Sequence, residues 1–359
     1  MIKGFIDNGS AKKRRASIKD VAKAAGVSIG TASAVINNKY DSIRVSEDTM
    51  HRVKEAVKEL GYQPNAMARG LRLKRSGLLG VIVDGINYSI MPEILQGIED
   101  IAKVSDYSLI LGTTDSKGSD EKYYLKLLND KKVDGIIAVP SDDENRSIYN
   151  DIACKGFPCV FVAKHLSDVD IPYVIVDGEA LGYQATEHLI QLGHRRIAFI
   201  GITEGFVSER FSGYCRALHA HGIPLESSIV EHSPFAWEGG YDAAKRLVQR
   251  RTTFSALFCH DDITTLGVMA CLRENGLSIP EDISIVGCDD VSVARMVSPA
   301  LTTMAQPKSM QGEIAAQMLI DMINGKSVST QVLKPQLIIR QTTKEVRIDE
   351  SKQTDKHRQ

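Results

Sequence analysis

Residues 17–38 read SIKDVAKAAGVSIGTASAVINN, and their spacing decides the architecture of the N-terminal part of the chain. Ser17 can cap a helix, and Asp20, three residues on, completes a capping-box-like pattern. Ile18, Val21, Ala22 and Ala25 then fall at i, i+3, i+4 and i+7, which lays one apolar face along that helix. Gly26 interrupts the pattern and can take the positive φ of a tight turn, after which Ser28 is placed to cap a second helix running to about Asn37. A third helix is predicted from Ser46, burying Val53, Ala56, Val57 and Leu60 and stopping at Gly61, beyond which Pro64 cannot extend it. This is helix-turn-helix spacing. In such a unit the second helix enters the DNA major groove with the side chains of its first turns, here Ser28, Ile29, Gly30, Thr31, Ser33 and Ala34, with Asn37 at its end.

The charge distribution follows the same division. Residues 1–75 hold 16 Lys and Arg against 7 Asp and Glu, a net of +9, whereas residues 76–359 hold 28 against 38, a net of −10. A basic head attracts a polyanion, because Lys and Arg gain affinity by displacing counterions from phosphates. Lys12 to Arg15 add non-specific phosphate affinity or form a solvated arm. At roughly 100–200 residues per domain, the 359-residue length predicts two or three domains. A composition of 43% hydrophobic and 25% charged residues, with no apolar run near the ~20 residues of a bilayer span, excludes disordered, fibrous and membrane-spanning classes. No apolar stretch follows the basic N-terminal residues, so a secretory signal is not predicted and a cytoplasmic location is expected. Cys154, Cys159, Cys215, Cys259, Cys271 and Cys288 form no CxxC pair and have no His at metal spacing, so reduced thiols and no metal site are expected.

Beyond residue 76, apolar runs alternate with helical patterns. Strands are predicted at 78–83, 107–111, 135–139, 159–163, 174–176, 196–201, 256–259 and 283–287. Helices are predicted at 92–104, 121–129, 181–192, 209–221, 239–250, 263–274 and 308–323. Repeated β-then-α order implies parallel sheets covered on both faces, and its length implies two similar lobes, the first crossing lying between Ala163 and Asp177. Ligands in such sheets bind beyond the carboxyl ends of the strands, in a cleft that closes by hinge motion. An enzyme is disfavoured. Gly201-Ile202-Thr203-Glu204-Gly205 has the wrong spacing for a dinucleotide loop, no P-loop string is present, and His260-Asp261-Asp262 has no nucleophile set beside it by motif.

Three further strings are informative: VSED followed by ELGYQPNAMARGLR in the head, HLIQLGHRRIAFIG at 188–201, and IPEDISIVGCDD at 279–290 with PALTTMAQP at 299–307. With residues 17–38 they resemble the lactose/galactose repressor (LacI/GalR) family from Ser17 to about Thr343. The resemblance implies an all-α helix-turn-helix head at 17–63 after a basic arm at 1–16, then a hinge segment at 64–75. A two-lobed α/β domain like the periplasmic binding proteins, with doubly wound parallel sheets, follows at 76–343, and a polar tail at 344–359. It implies a homodimeric transcriptional regulator, most simply a repressor, that binds a pseudo-palindromic double-stranded DNA operator under control of a small-molecule effector, a sugar or sugar derivative, without a cofactor. A nucleobase, a sugar phosphate or a protein partner remain the alternatives. In the hinge, Asn65, Ala68 and Leu71 match DNA-contacting positions, with Leu71 as the minor-groove wedge. In the cleft, Arg210, Asp261, Asp289, Phe235 and Gln306 match effector positions, with Tyr88 and Ser89 from the first lobe. The chain departs from the family at Ala34, where Arg is common, at Ile29 and Gly30, and at Ala163-Lys164, where Asp-Arg is common. Lys164 in that place would suit an anionic ligand such as a sugar phosphate.

Overall fold

The computed structural model describes residues 16–36, 45–62, 75–86, 90–114, 118–130, 132–141, 145–203 and 208–346. Asn37, Asn65, Ala68, Leu71, Tyr88 and Ser89 lie outside the described residues. The chain divides into two compact units, Met1–Ser76 and Gly77–Gln359. Among the described residues no helix is long and apolar enough to cross a membrane.

The first unit holds α1 (Ile18–Ala25), α2 (Ile29–Ile36) and α3 (Glu47–Glu59). The Asp20 carboxylate accepts from the Ser17 N–H at 2.8 Å and from its hydroxyl at 2.7 Å, which fixes the start of α1. Gly26, at φ +63, turns the chain toward α2, where the Ser28 hydroxyl accepts from the Thr31 N–H at 3.0 Å. Val21, Ala22, Ala25, Ala32, Val35, Val53 and Ala56 form the core between the three helices. Leu60 departs from expectation: it ends α3 as its C-cap, its N–H reaching the Ala56 carbonyl, and its side chain is exposed.

The second unit contains two six-stranded sheets. The first lobe holds β1 (Leu78–Val83), α4 (Met91–Val104), β2 (Ser108–Thr113), α5 (Gly118–Asp130), β3 (Gly135–Ala138), α6 (Arg146–Cys154), β4 (Cys159–Val162) and β5 (Tyr173–Val176). The second begins with α7 (Gly178–Gln191), β6 (Ile197–Gly201), α8 (Glu209–Ala220), β7 (Val230–His232) and α9 (Trp237–Gln249). It continues through β8 (Ala256–Cys259), α10 (Asp262–Glu274), β9 (Ser284–Asp289) and β10 (Thr302–Ala305). The chain then returns to the first lobe as α11 (Lys308–Ile323) and β11 (Gln331–Leu333), and closes in the second as β12 (Gln336–Ile338). The sheet orders are β11-β5-β4-β3-β1-β2 and β12-β10-β9-β8-β6-β7. The pairs are parallel except for β10 with β12. Three passages therefore join the lobes: at Asp177, at Gln306-Pro307, and between Leu333 and Gln336.

The long central strands match the predicted runs because strands buried on both faces read as continuous apolar stretches. β7, β10, β11 and β12 were not predicted, since three or four residues show no usable alternation. β10 is also threonine-rich, yet Thr302 and Thr303 are buried because their polar groups are satisfied. The Thr303 hydroxyl donates to Asp262 Oδ1 at 2.6 Å, and the Thr302 N–H to the Thr342 hydroxyl at 2.9 Å. α6 also escaped prediction, because among its residues only Tyr149 is buried.

Three helix pairs pack backbone to backbone through reciprocal glycines. A Cβ on Gly97 of α4 would lie 2.1 Å from the Ser309 carbonyl oxygen of α11, and one on Gly312 would lie 2.0 Å from that of Ile94. The pairs Gly182 with Gly213 (α7, α8) and Gly240 with Gly267 (α9, α10) repeat the arrangement. At Gly182 the obstructing atom is the carbonyl oxygen of Arg210, 1.9 Å from the added Cβ. Gly182→Ala is expected to destabilise the second lobe by about 1–3 kcal/mol through forced separation of the helices. Denaturant unfolding followed by circular dichroism checks this; an unchanged midpoint would show that α8 can move freely.

Candidate functional site

On the first unit the exposed part of α2 is small and mostly apolar. Ser28 is exposed, but its hydroxyl is engaged with the Thr31 N–H and lies 2.9 Å from the Thr31 hydroxyl. Ile29 is 46% exposed, Gly30 presents backbone alone, and Thr31 and Ser33 are half-buried. Ala34, also expected on this surface, is buried in the described residues.

In the second unit the carboxyl ends of the strands face an open cleft with a cavity volume of about 160 Å³. Asp84, Val139, Ala163 and Lys164 follow β1, β3 and β4 on the first lobe, with Ile90, Met91, Ile175 and Val176 beside them. Glu209, Arg210, Phe235 and Asp289 line the second lobe, and Gln306 enters from the passage between the lobes. Of the residues expected here, Lys164, Arg210, Phe235, Asp289 and Gln306 line the cleft. Asp261 does not. It is buried behind the wall as the cap of α10, accepting from the Thr264 N–H at 2.9 Å, and its other oxygen lies 2.8 Å from His260 Nε2. Burial works against its charge, but His260 and Thr264 hold its carboxyl below the ordinary value. Asp261 therefore reaches the cleft only through His260, whose ring stacks on Phe235 at 4.3 Å between centroids and 15° between planes.

The polar centre of the cleft is built on Asp289, at the end of β9. Its Oδ1 accepts from Gln306 Nε2 at 2.6 Å and lies 3.2 Å from Arg210 Nη2, while Arg210 Nη1 donates to the His260 carbonyl. Lys308 Nζ donates to the carbonyls of Asp289 at 2.8 Å and Asp290 at 2.9 Å, and pairs with Glu93 of α4 at 3.0 Å. Burial pushes the Asp289 carboxyl above its ordinary value, against the pull of Arg210, Gln306 and Lys308. The backbone is strained here, with φ +108 at Asp289 and +49 at Asp290. On the first lobe, Ala163 has φ +64, and Lys164 Nζ lies 3.5 Å from Asp84. An aromatic face beside paired donors and acceptors suits a ligand carrying both C–H surface and hydroxyl groups.

Sequence reasoning missed Asp84, Glu209, Val139 and the apolar wall of Ile175, Val176 and Leu181. The available signal was positional: Asp84 directly follows a predicted strand and Val139 ends one, where open parallel sheets place their ligands. Among the described residues no group of three His, Cys, Asp or Glu side chains could hold a metal ion. Asp289→Asn would leave Arg210 without its buried counter-charge, and a loss of about 3 kcal/mol of stability is expected. Thermal unfolding of the variant at neutral pH checks this, and a wild-type midpoint would show the ion pair to be dispensable.

Residues 17–65 match the bacterial regulatory proteins of the lacI family, and residues 186–343 match the periplasmic binding protein-like domain. The chain is 35% identical over 334 residues to the HTH-type transcriptional regulator RegA of Clostridium saccharobutylicum, covering 91% of this chain and 99% of that protein. Its fold resembles the lac repressor dimer bound to operator and the anti-inducer ONPF, with a TM-score of 0.81 and 28% identity over 92% of this chain and all of that one. It also resembles the complex of the transcriptional regulator CelR with cellobiose, with a TM-score of 0.69 and 31% identity at the same coverage. The chain belongs to the LacI family of bacterial regulatory proteins, DNA-binding transcriptional regulators that join a helix-turn-helix head to an α/β effector-binding domain.

Proposed function

We propose that this protein is a homodimeric repressor of a pseudo-palindromic operator, released or recruited by a polyhydroxylated effector, a sugar or sugar derivative, bound between its lobes. The observation that carries the reading is the Arg210–Asp289–Gln306 constellation beside Phe235, placed where three chain passages join the lobes. Hydroxyl groups of a ligand would accept from Arg210 and Gln306 and donate to Asp289, and Phe235 would cover C–H surface. Closing the lobes around such a ligand changes the relative placement of their outer elements, which is the means by which the cleft would act on the hinge and head. Two-fold symmetry of the dimer accounts for a two-fold operator. Coupling of about 1–3 kcal/mol is the usual range, and the operator must change effector affinity by the same factor as effector changes operator affinity.

The direct test uses an operator fragment and a sugar that shifts the melting temperature of the wild-type protein. Arg210→Ala is expected to bind the fragment with wild-type affinity and to lose the sugar response; a full response would sink the cleft assignment. Leu71→Ala is expected to weaken operator binding by about tenfold through loss of an apolar wedge, with sugar affinity nearly unchanged. Equal loss of both would reject the hinge role of Leu71.

A further inference from the structure

The cleft is rich in charge, and its cations are already matched. Lys164 faces Asp84 at 3.5 Å and Arg210 faces Asp289 at 3.2 Å, so each cation lining the cleft has a carboxylate beside it. Glu209 is a third carboxylate in the lining, and among the described residues it forms no ion pair.

The helix N-termini at the cleft point the same way. Met91, Gly178 and Glu209 begin α4, α7 and α8 and line the cavity, and such termini ordinarily attract anions through unpaired N–H groups and the helix dipole. At α7 the chain fills this position with its own carboxylates. Asp177 accepts from the Ala180 N–H at 2.8 Å at the start of α7, and the Glu209 carboxylate packs against Gly178, the first residue of that helix. Glu209 is packed so close that a Cβ on Gly178 would lie 2.4 Å from its Oε2. Glu209 thus stands at the N-terminus of α7 where an anionic group of a ligand would otherwise sit. Burial, with Asp177 nearby, pushes its carboxyl above the ordinary value.

We propose that the effector cleft rejects anionic ligands and accepts a polyol without acidic groups, with Glu209 as the residue that determines this charge selectivity. The proposal rests on the carbohydrate reading above and narrows it against phosphorylated sugars, despite the presence of Lys164.

The test is a melting-temperature and calorimetric titration of the full-length protein. The probes are glucose, galactose, ribose, cellobiose and glucosamine, alongside glucose 6-phosphate, galactose 1-phosphate, ribose 5-phosphate and inorganic phosphate. Stabilisation by one or more of the first group, with none from its phosphorylated counterpart, is the expected result. Glu209→Gln keeps the size but removes the charge; it is expected to raise the affinity of the phosphorylated counterpart relative to its parent sugar by about tenfold. Asp84→Asn, which frees Lys164, should act in the same direction and serves if Glu209→Gln does not fold. A phosphorylated sugar or phosphate that stabilises the wild-type protein as well as its parent sugar would overturn the charge selectivity and leave carbohydrate sensing standing. Equal effects of Glu209→Gln on both members of a pair would overturn the role of Glu209. No shift from any compound would overturn the carbohydrate reading, and this proposal with it.

Discussion

The buried carboxylate of Asp289 is the point on which the effector domain depends. It sits at the end of β9 with a backbone φ of +108, and it is tolerated there because groups from different elements satisfy it at once. Arg210 comes from α8 and Gln306 from the passage between the lobes, while Lys308, in the first turn of α11 on the other lobe, donates to the backbone carbonyl of Asp289. Lys308 reaches on to Glu93 of α4. A charge desolvated this thoroughly is stable only while its partners stay in place, so the lobes are registered against one another through the same atoms that face the ligand.

Packing carries this register outward. Each of three helix pairs is held at backbone distance by glycines, and in the second lobe the carbonyl that meets Gly182 belongs to Arg210 itself. The position of the guanidinium is therefore set from two directions, by the α7–α8 contact and by Asp289. Behind the cleft, Asp262 ties β10 to the turn after β9, accepting from Thr303 at 2.6 Å and from the Val291 N–H at 2.9 Å. Interiors packed in this way move between discrete arrangements and do not deform continuously, which is the property a ligand-controlled regulator needs.

Much of the architecture was legible in the chain. The head follows from the Ser17 and Ser28 caps, the Gly26 turn and the spacing of Val21, Ala22 and Ala25, all of which act within a few residues. The central strands were legible because burial on both faces leaves apolar runs. The cleft was legible chiefly through family strings around Arg210, Asp289 and Gln306; by pattern alone each would pass for a surface ion pair or a cap. Asp261 shows the limit of such transfer, since a matched position does not reveal whether the side chain faces the cleft or lies behind its wall. Asp84 and Glu209 were missed because nothing in their immediate neighbours distinguishes them from ordinary polar residues.

The sequence by itself determined what local and periodic forces decide: three capped helices, parallel strands alternating with helices, and a basic head on an acidic body. Only the tertiary structure decided how charges far apart in the chain are matched. Lys164 is 80 residues from Asp84 and Asp289 is 79 residues from Arg210, so whether each cation is available to a ligand or already neutralised depends on how the sheets and passages bring them together. The physical reason is that secondary structure answers to neighbours along the chain, whereas desolvation and ion pairing answer to neighbours in space.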